Sequence, residues 1–146
     1  MRASVRREVV VAAPADAAWA VVGRPDLLHL WFPGVVACTV DGHHRTITLA
    51  TGVTQHEEIL TNDPVQRRFQ YRAVGGLFRE HLASVDVVSL GVDRCLVTYA
   101  SDADPATLAV VLGGATAGAL AELRRQVEAG TGPAVDAASA AEGRAR

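Results

Sequence analysis

The chain has 146 residues, with 14 basic and 16 acidic side chains, a net charge of −2 and 49% hydrophobic residues. This length is typical of one domain with a buried core, and the near-neutral charge excludes the basic surface of a nucleic-acid-binding protein. All 14 basic residues are arginine, which excludes chemistry that needs a lysine, such as Schiff-base formation. An arginine-only composition is also typical of a GC-rich bacterial genome.

Two features bear on the cellular setting. No uninterrupted apolar run approaches the roughly 18 residues of a membrane span, and the stretch VVVAA near the N-terminus indicates a strand rather than a signal peptide. Cys38 and Cys95 lie in different predicted strands without a CxxC pair, which favours reduced thiols. We therefore expect a cytoplasmic protein without a membrane segment.

The predicted elements begin with a strand over residues 2–12. Pro14 opens a short helix that stops at Gly23, and a second short helix covers RPDLLHLWF. The following residues, 35–103, contain only strand and turn signals and predict a six-stranded antiparallel meander. Its turns are expected near 41–44, 50–52, 61–64, 74–76 and 90–93.

One long helix follows the meander, with Asp104 expected as its N-cap and Pro105 as its first residue. Its apolar residues recur at helical spacing on one face: Leu108, Val111, Leu112, Ala115, Ala119, Leu123 and Val127. Gly113 and Gly114 in its middle indicate close backbone approach or space left for another group. Residues 1–129 are thus expected to form one domain, and residues 130–146 a flexible C-terminal tail.

This order of elements predicts an α+β fold. A seven-stranded curved antiparallel sheet would bury one face against the long C-terminal helix. The two short helices after the first strand would close the remaining side. Together they would enclose a cavity.

Strand alternation identifies which polar side chains face that cavity. A three-residue loop at 50–52, with Gly52 left-handed, pairs Leu49 with Val53 and therefore Arg45 with Glu57. A two-residue turn would pair Arg45 with Glu58 instead. The inward side chains are Arg45, Gln55, Glu57, Phe69, Tyr71, His81, Tyr99 and Ser101.

The ordered set VVVAAPADAAWAVV, LHLWFPGV, TLATGVTQHEEIL and DADP resembles the SRPBCC (START-like) superfamily, and within it the polyketide cyclase/dehydrase and lipid-transport group. The resemblance spans about residues 3–129. It implies a helix-grip fold with a cavity for a hydrophobic or polycyclic ligand. It implies no single reaction, because the superfamily mixes cyclases, hydrolases, carriers and ligand sensors. His81 and Tyr99 stand where relatives often carry tyrosine and tryptophan.

The candidate catalytic residues are Glu57, His81, Arg45 and Tyr71, and the candidate ligand contacts are Trp31, Phe32, Gln55, Phe69, Tyr99 and Ser101. Trp31 and Phe32 are expected near the mouth of the cavity. Arg45 and Glu57 either form a structural ion pair, or Arg45 orients a ligand carbonyl or carboxylate while Glu57 exchanges protons. His81 is either a core histidine or an acid–base group, and Tyr71 either packs or donates to a ligand.

Two functional hypotheses follow. The leading one is a cofactor-independent cyclase or dehydratase, of lyase or isomerase type, in natural-product metabolism. The alternative is a non-catalytic carrier or sensor of the same hydrophobic or aromatic small molecule. No metal site is predicted, because His43 and His44 are adjacent in a turn and His56 faces outward. No nucleic acid or membrane partner is expected, and the choice between monomer and homodimer stays open.

Overall fold

A single antiparallel sheet forms most of the molecule. In the computed structural model, which describes residues 1–132, the strands lie in the order β1-β7-β6-β5-β4-β3-β2. Their bounds are β1 Ala3–Val11, β2 Val35–Asp41, β3 His44–Leu49, β4 Thr54–Asp63, β5 Arg68–Val74, β6 Glu80–Gly91 and β7 Arg94–Asp104. The sheet and the helix that follows it confirm the predicted helix-grip α+β architecture.

Two short helices connect β1 to β2. The first, α1 (Ala15–Val22), follows Pro14 and ends at Gly23, whose backbone N–H donates to the Trp19 carbonyl. The second is a 3₁₀ helix (Pro25–Leu30), with a backbone bond from Trp31 to Leu28, three residues back. Both lie where the sequence predicts a short helix.

The long helix α2 (Ala106–Ala129) begins later than expected, because Asp104 does not cap it. Asp104 instead ends β7: its carbonyl accepts the Arg79 backbone N–H, and its carboxylate accepts two bonds from the Arg79 guanidinium at 2.6 and 3.2 Å. Pro105 occupies the N-cap position, without a side-chain cap. The predicted capping role of Asp104 was wrong, because its carboxylate pairs with Arg79.

The buried face of α2 also differs from the prediction. Gly113 faces β1 so closely that an added Cβ atom would lie 3.1 Å from Nη2 of Arg7. Val111 lies two residues away, about 200° around the helix, and is 66% exposed. Ala115 is exposed as well, so these two residues were wrongly assigned to the core face. The predicted close backbone approach is confirmed at Gly113.

The core lies between the sheet, α1 and the C-terminal half of α2, where Leu120 and Leu123 are buried. The helix α2 is long and apolar enough to cross a membrane, with a mean hydropathy of 1.6 over its most apolar stretch. The sequence itself contains no continuous apolar run of that length. Core helices can be equally long and apolar, and α2 packs against β1 and β7. The absence of a membrane segment stays a prediction.

The helix ends at Gly130, whose φ of +68° is the left-handed conformation common after helices. The backbone N–H of Thr131 donates to the Gln126 carbonyl. Most of the predicted tail, residues 133–146, lies outside the described residues.

Candidate functional site

The β3–β4 hairpin fixes which polar groups face each other on the inner side of the sheet. Gly52 has a φ of +87°, and the Leu49 backbone N–H donates to the Val53 carbonyl at 2.8 Å. Arg45 therefore lies directly opposite Glu57. The three-residue loop predicted from the sequence is confirmed, and the alternative pairing of Arg45 with Glu58 is excluded.

Arg45 and Glu57 form a buried ion pair, with 1% and 2% of their side chains exposed. Arg45 Nε donates to Glu57 Oε1 at 2.7 Å, and Gln55 Nε2 donates to Glu57 Oε2 at 3.1 Å. The guanidinium also lies over the rings of Tyr71 and Phe69, at 4.6 and 5.4 Å from their centroids. Burial raises the pKa of Glu57 despite its bonds to Arg45 and Gln55.

An aromatic cluster closes over this pair. The hydroxyls of Tyr71 and Tyr99 share a hydrogen bond of 2.5 Å, and Trp31 and Phe32 pack against the Tyr99 ring at 6.4 and 6.1 Å between centroids. Burial raises the pKa of Tyr99 to about 12 and that of Tyr71 well above its ordinary value. Both tyrosines are therefore neutral hydroxyls at physiological pH.

His81 fills a gap between β5 and β6. The backbone pairing of these strands ends at Tyr71 and Ala83, and beyond it the Ala73 backbone N–H donates to His81 Nδ1 at 2.8 Å. An amide N–H can only donate, so Nδ1 is an acceptor and the ring is neutral with its proton on Nε2. Burial lowers the pKa of His81 to about 4. His81 thus acts here as a strand-joining acceptor, in contact with the rings of Phe78 and Tyr71.

The cavity predicted between the sheet and the short helices is almost completely filled. The enclosed space is about 10 Å³, and its lining includes Arg45, Phe69, Tyr71, Tyr99 and Trp31. This is close to the minimum needed for one water molecule, so the expectation of an enclosed ligand cavity at this place was wrong. The aromatic rings fill it because the 3₁₀ helix carries Trp31, 4% exposed, down onto Tyr99.

One further predicted contact also lies away from an opening to solvent. Ser101 is buried on the inner face of β7. Trp31 and Phe32 pack on the Tyr99 ring and also line an open surface hollow of about 230 Å³ beside the 3₁₀ helix. They do not mark the mouth of an enclosed cavity, because that cavity is filled.

Open space appears instead beside the N-terminal half of α2. A groove of about 400 Å³ runs between this half-helix, the β3–β4 hairpin and the β5–β6 hairpin. Three polar side chains line the groove: Thr54, Gln55 and His56. The rest of its lining is apolar or glycine: Leu49, Val53, Val74, Gly75, Gly76, Leu77, Phe78, Leu108, Val111 and Leu112. The volume is in the range of small-molecule binding sites. We call this space the α2 groove.

Among the ten predicted site residues, Gln55 alone lines the α2 groove. The residues that sequence reasoning missed are those of the β5–β6 turn, above all Leu77 and Phe78. A signal was present: two large apolar residues follow Gly75 and Gly76 in a turn that should be polar, and Leu77 is 78% exposed. Phe78 contacts His81, and so connects the groove wall to the buried cluster.

A further hollow, of about 440 Å³, lies where β5 and β6 separate, and its lining includes Glu58, Arg72, Arg79 and His81. Its charged side chains are already paired: Arg72 with Glu58, and Arg79 with Asp104. The apolar α2 groove is therefore the better candidate for a hydrophobic ligand. Within residues 1–132, no three His, Cys, Asp or Glu side chains come together as a metal site.

With this geometry, the chain can be compared with known proteins. The fold is that of the START-like, or SRPBCC, superfamily. The family model "Polyketide cyclase / dehydrase and lipid transport" matches residues 2–131, nearly the whole described chain. The protein belongs to this family, which confirms the resemblance seen in the sequence and supports a ligand-binding SRPBCC protein.

Solved structures show the same fold. A protein of Thermobifida fusca is 28% identical, with a TM-score of 0.74 over 85% of this chain and 92% of that one. A START superfamily protein of Mycobacterium smegmatis is 20% identical, with a TM-score of 0.72 over 86% and 97% of the two chains. Norcoclaurine synthase of Thalictrum flavum, in complex with dopamine and hydroxybenzaldehyde, is 22% identical, with a TM-score of 0.67 over 88% and 85%. A search of curated proteins found no match.

Proposed function

We propose that the protein binds a hydrophobic, partly oxygenated small molecule in the α2 groove, as a carrier or sensor. The observation that carries this proposal is the groove itself: about 400 Å³, with mainly apolar walls and a few polar groups. Such a composition is typical of small-molecule sites, where apolar surface supplies affinity and a few polar groups orient the ligand. Aromatic ligands of norcoclaurine synthase, a protein of the same fold, are consistent with this ligand class.

The exposed apolar side chains of the groove support the same proposal. Leu77 is 78% exposed and Val111 is 66% exposed, on opposite sides of the space. Each square ångström of apolar surface removed from water contributes about 25 cal/mol. A ligand that covers these two side chains therefore gains affinity without any change in the buried core.

A cyclase or dehydratase activity is the second candidate. It is favoured by the raised pKa of Glu57, which brings this carboxyl closer to the range of a general acid. It is opposed by the burial of Glu57 beside Arg45 and by the neutral, bonded state of His81. In this conformation a ligand in the groove contacts Gln55 rather than either of these groups.

The binding proposal is tested with the neutral fluorescent probe N-phenylnaphthylamine and two tryptophan variants. Leu112→Trp places a large ring in the groove, whereas Val92→Trp places one in the β6–β7 turn, where Val92 is exposed. We expect the probe to bind the wild type and Val92→Trp alike, and Leu112→Trp at least about tenfold more weakly. Equal binding to Leu112→Trp and the wild type would place the probe elsewhere and contradict the proposal.

The enzymatic alternative is tested separately with Glu57→Gln, which keeps the size of the side chain. Dopamine and hydroxybenzaldehyde serve as trial substrates, with product formation followed by mass spectrometry. If the wild type turns these substrates over, and Glu57→Gln lowers the turnover about tenfold or more without changing the affinity for the substrates, acid–base catalysis is established. Turnover that is the same in both proteins would remove Glu57 from the chemistry.

A further inference from the structure

Gln55 lies where the α2 groove meets the buried ion pair. Its amide Nε2 donates to Glu57 Oε2 at 3.1 Å, and the other carboxylate oxygen accepts from Arg45 Nε at 2.7 Å. Both oxygens of Glu57 therefore act as acceptors, as in an ionised carboxylate. Glu57 thereby fixes the orientation of the Gln55 amide, since turning it over would bring two acceptors together.

The fixed orientation leaves the other end of the amide free. Gln55 Oε1 has no hydrogen bond to any residue between 1 and 132. Gln55 is partly exposed. The fully buried side-chain atoms without a hydrogen bond belong to other residues, so Gln55 Oε1 is not fully buried. Its carbonyl oxygen is therefore accessible, and Gln55 lines the groove. The groove presents a hydrogen-bond acceptor at this point.

The nearby charges also favour a hydrogen-bond donor over an anion at this point of the groove. Arg45 does not offer its positive charge to the groove, because its guanidinium is 1% exposed and bound to Glu57. Behind the Gln55 acceptor, the charge of Glu57 is balanced by Arg45, so the pair offers a ligand anion no net positive charge, and the Gln55 oxygen itself repels a carboxylate oxygen. The opposite walls, Phe78 and Leu112, are apolar.

We infer that Gln55 determines specificity in the α2 groove, selecting hydrophobic ligands that carry a hydroxyl donor over those with an ether or carboxylate at the same place. This inference rests on the proposed binding function and names the ligand class. It differs from the expectation that Arg45 binds a ligand carbonyl or carboxylate. Recognition here runs from the ligand hydroxyl to Gln55 Oε1, with Glu57 as the positioning residue.

The experiment compares three naphthalene probes of nearly equal size: naphthol, methoxynaphthalene and naphthoate. Calorimetric titration of the full chain measures their affinities for the wild type and for Gln55→Met, which keeps the length of the side chain without its acceptor. We expect the wild type to bind naphthol about 3- to 10-fold more tightly than methoxynaphthalene, the effect of one hydrogen bond, and naphthoate most weakly. In Gln55→Met, naphthol should fall to the affinity of methoxynaphthalene, which should itself be unchanged.

Each other outcome has a definite meaning. Equal affinity of the wild type for naphthol and methoxynaphthalene, or a naphthol preference that survives in Gln55→Met, overturns the role of Gln55 while leaving the proposed binding function in place. If none of the three probes binds, the proposed function fails and the inference fails with it. If Gln55→Met does not fold, the comparison of probes on the wild type decides alone.

Discussion

His81 makes the stability of the protein depend on pH in a direction that follows from its contacts. Its Nδ1 accepts the Ala73 backbone N–H at 2.8 Å, and burial lowers its pKa from 6.5 to about 4, while Asp102 acts weakly in the opposite sense. Between these two pH values the unfolded chain binds a proton that the folded chain does not. The stabilising contribution of neutral His81 is therefore complete above about pH 6.5 and is lost progressively as the pH falls from there to about 4.

The magnitude follows from the same shift. Lowering the pKa of His81 from 6.5 to about 4 corresponds to about 3 kcal/mol in total. Of this, about 2 kcal/mol falls between about pH 7 and pH 4.5. A loss of this size is a large fraction of the stability of a typical domain.

Urea unfolding of the wild type and His81→Asn at about pH 7 and about pH 4.5 measures the effect. The Oδ1 atom of asparagine can accept the Ala73 N–H as Nδ1 does, but it does not titrate in this range. We expect the wild type to lose about 2 kcal/mol more than His81→Asn on acidification. The exposed His44 provides the control, because His44→Asn should follow the wild type. Parallel losses in the wild type and His81→Asn would refute the neutral, acceptor state of His81.

Two further predictions concern the ion pair and the helix. Arg45→Met should lower the free energy of unfolding by about 3–5 kcal/mol, because it leaves Glu57 buried without its cation. In urea unfolding, the double variant Arg45→Met/Glu57→Met should recover most of this loss. A double variant as unstable as the single one would contradict the explanation. Gly114→Ala should raise the melting temperature, because an added Cβ meets open space and alanine favours a helix by about 1 kcal/mol. Gly113→Ala should gain less, because its Cβ would lie 3.1 Å from Arg7; equal gains in the two variants would show that this contact has no cost.

The sequence predicts the parts of this molecule that depend on local rules. Gly52 sets a three-residue loop, and counting residues from that loop places Arg45 opposite Glu57. Alternation likewise places Tyr71 and Tyr99 on one face, and the family resemblance adds the helix-grip fold. The loop and alternation predictions each use the residues of a single strand or hairpin.

Features that depend on packing between distant elements were not predictable in this way. Whether the inner face encloses a cavity depends on how far the 3₁₀ helix lowers Trp31 onto Tyr99, and alternation carries no such information. The rotation of α2 depends on the fit of Gly113 against Arg7. The position of the open groove follows from both, so it was found in the structure rather than in the sequence.

The most direct test of the binding site is a titration of isotopically labelled protein with naphthol, followed by amide chemical shifts. The account predicts that the largest changes occur in the turn at 75–78 and at residues 108–112, on the two sides of the α2 groove. The buried strand positions of Phe69 and Val97 should change least. Large changes centred on these core positions, with none at the groove, would contradict the account.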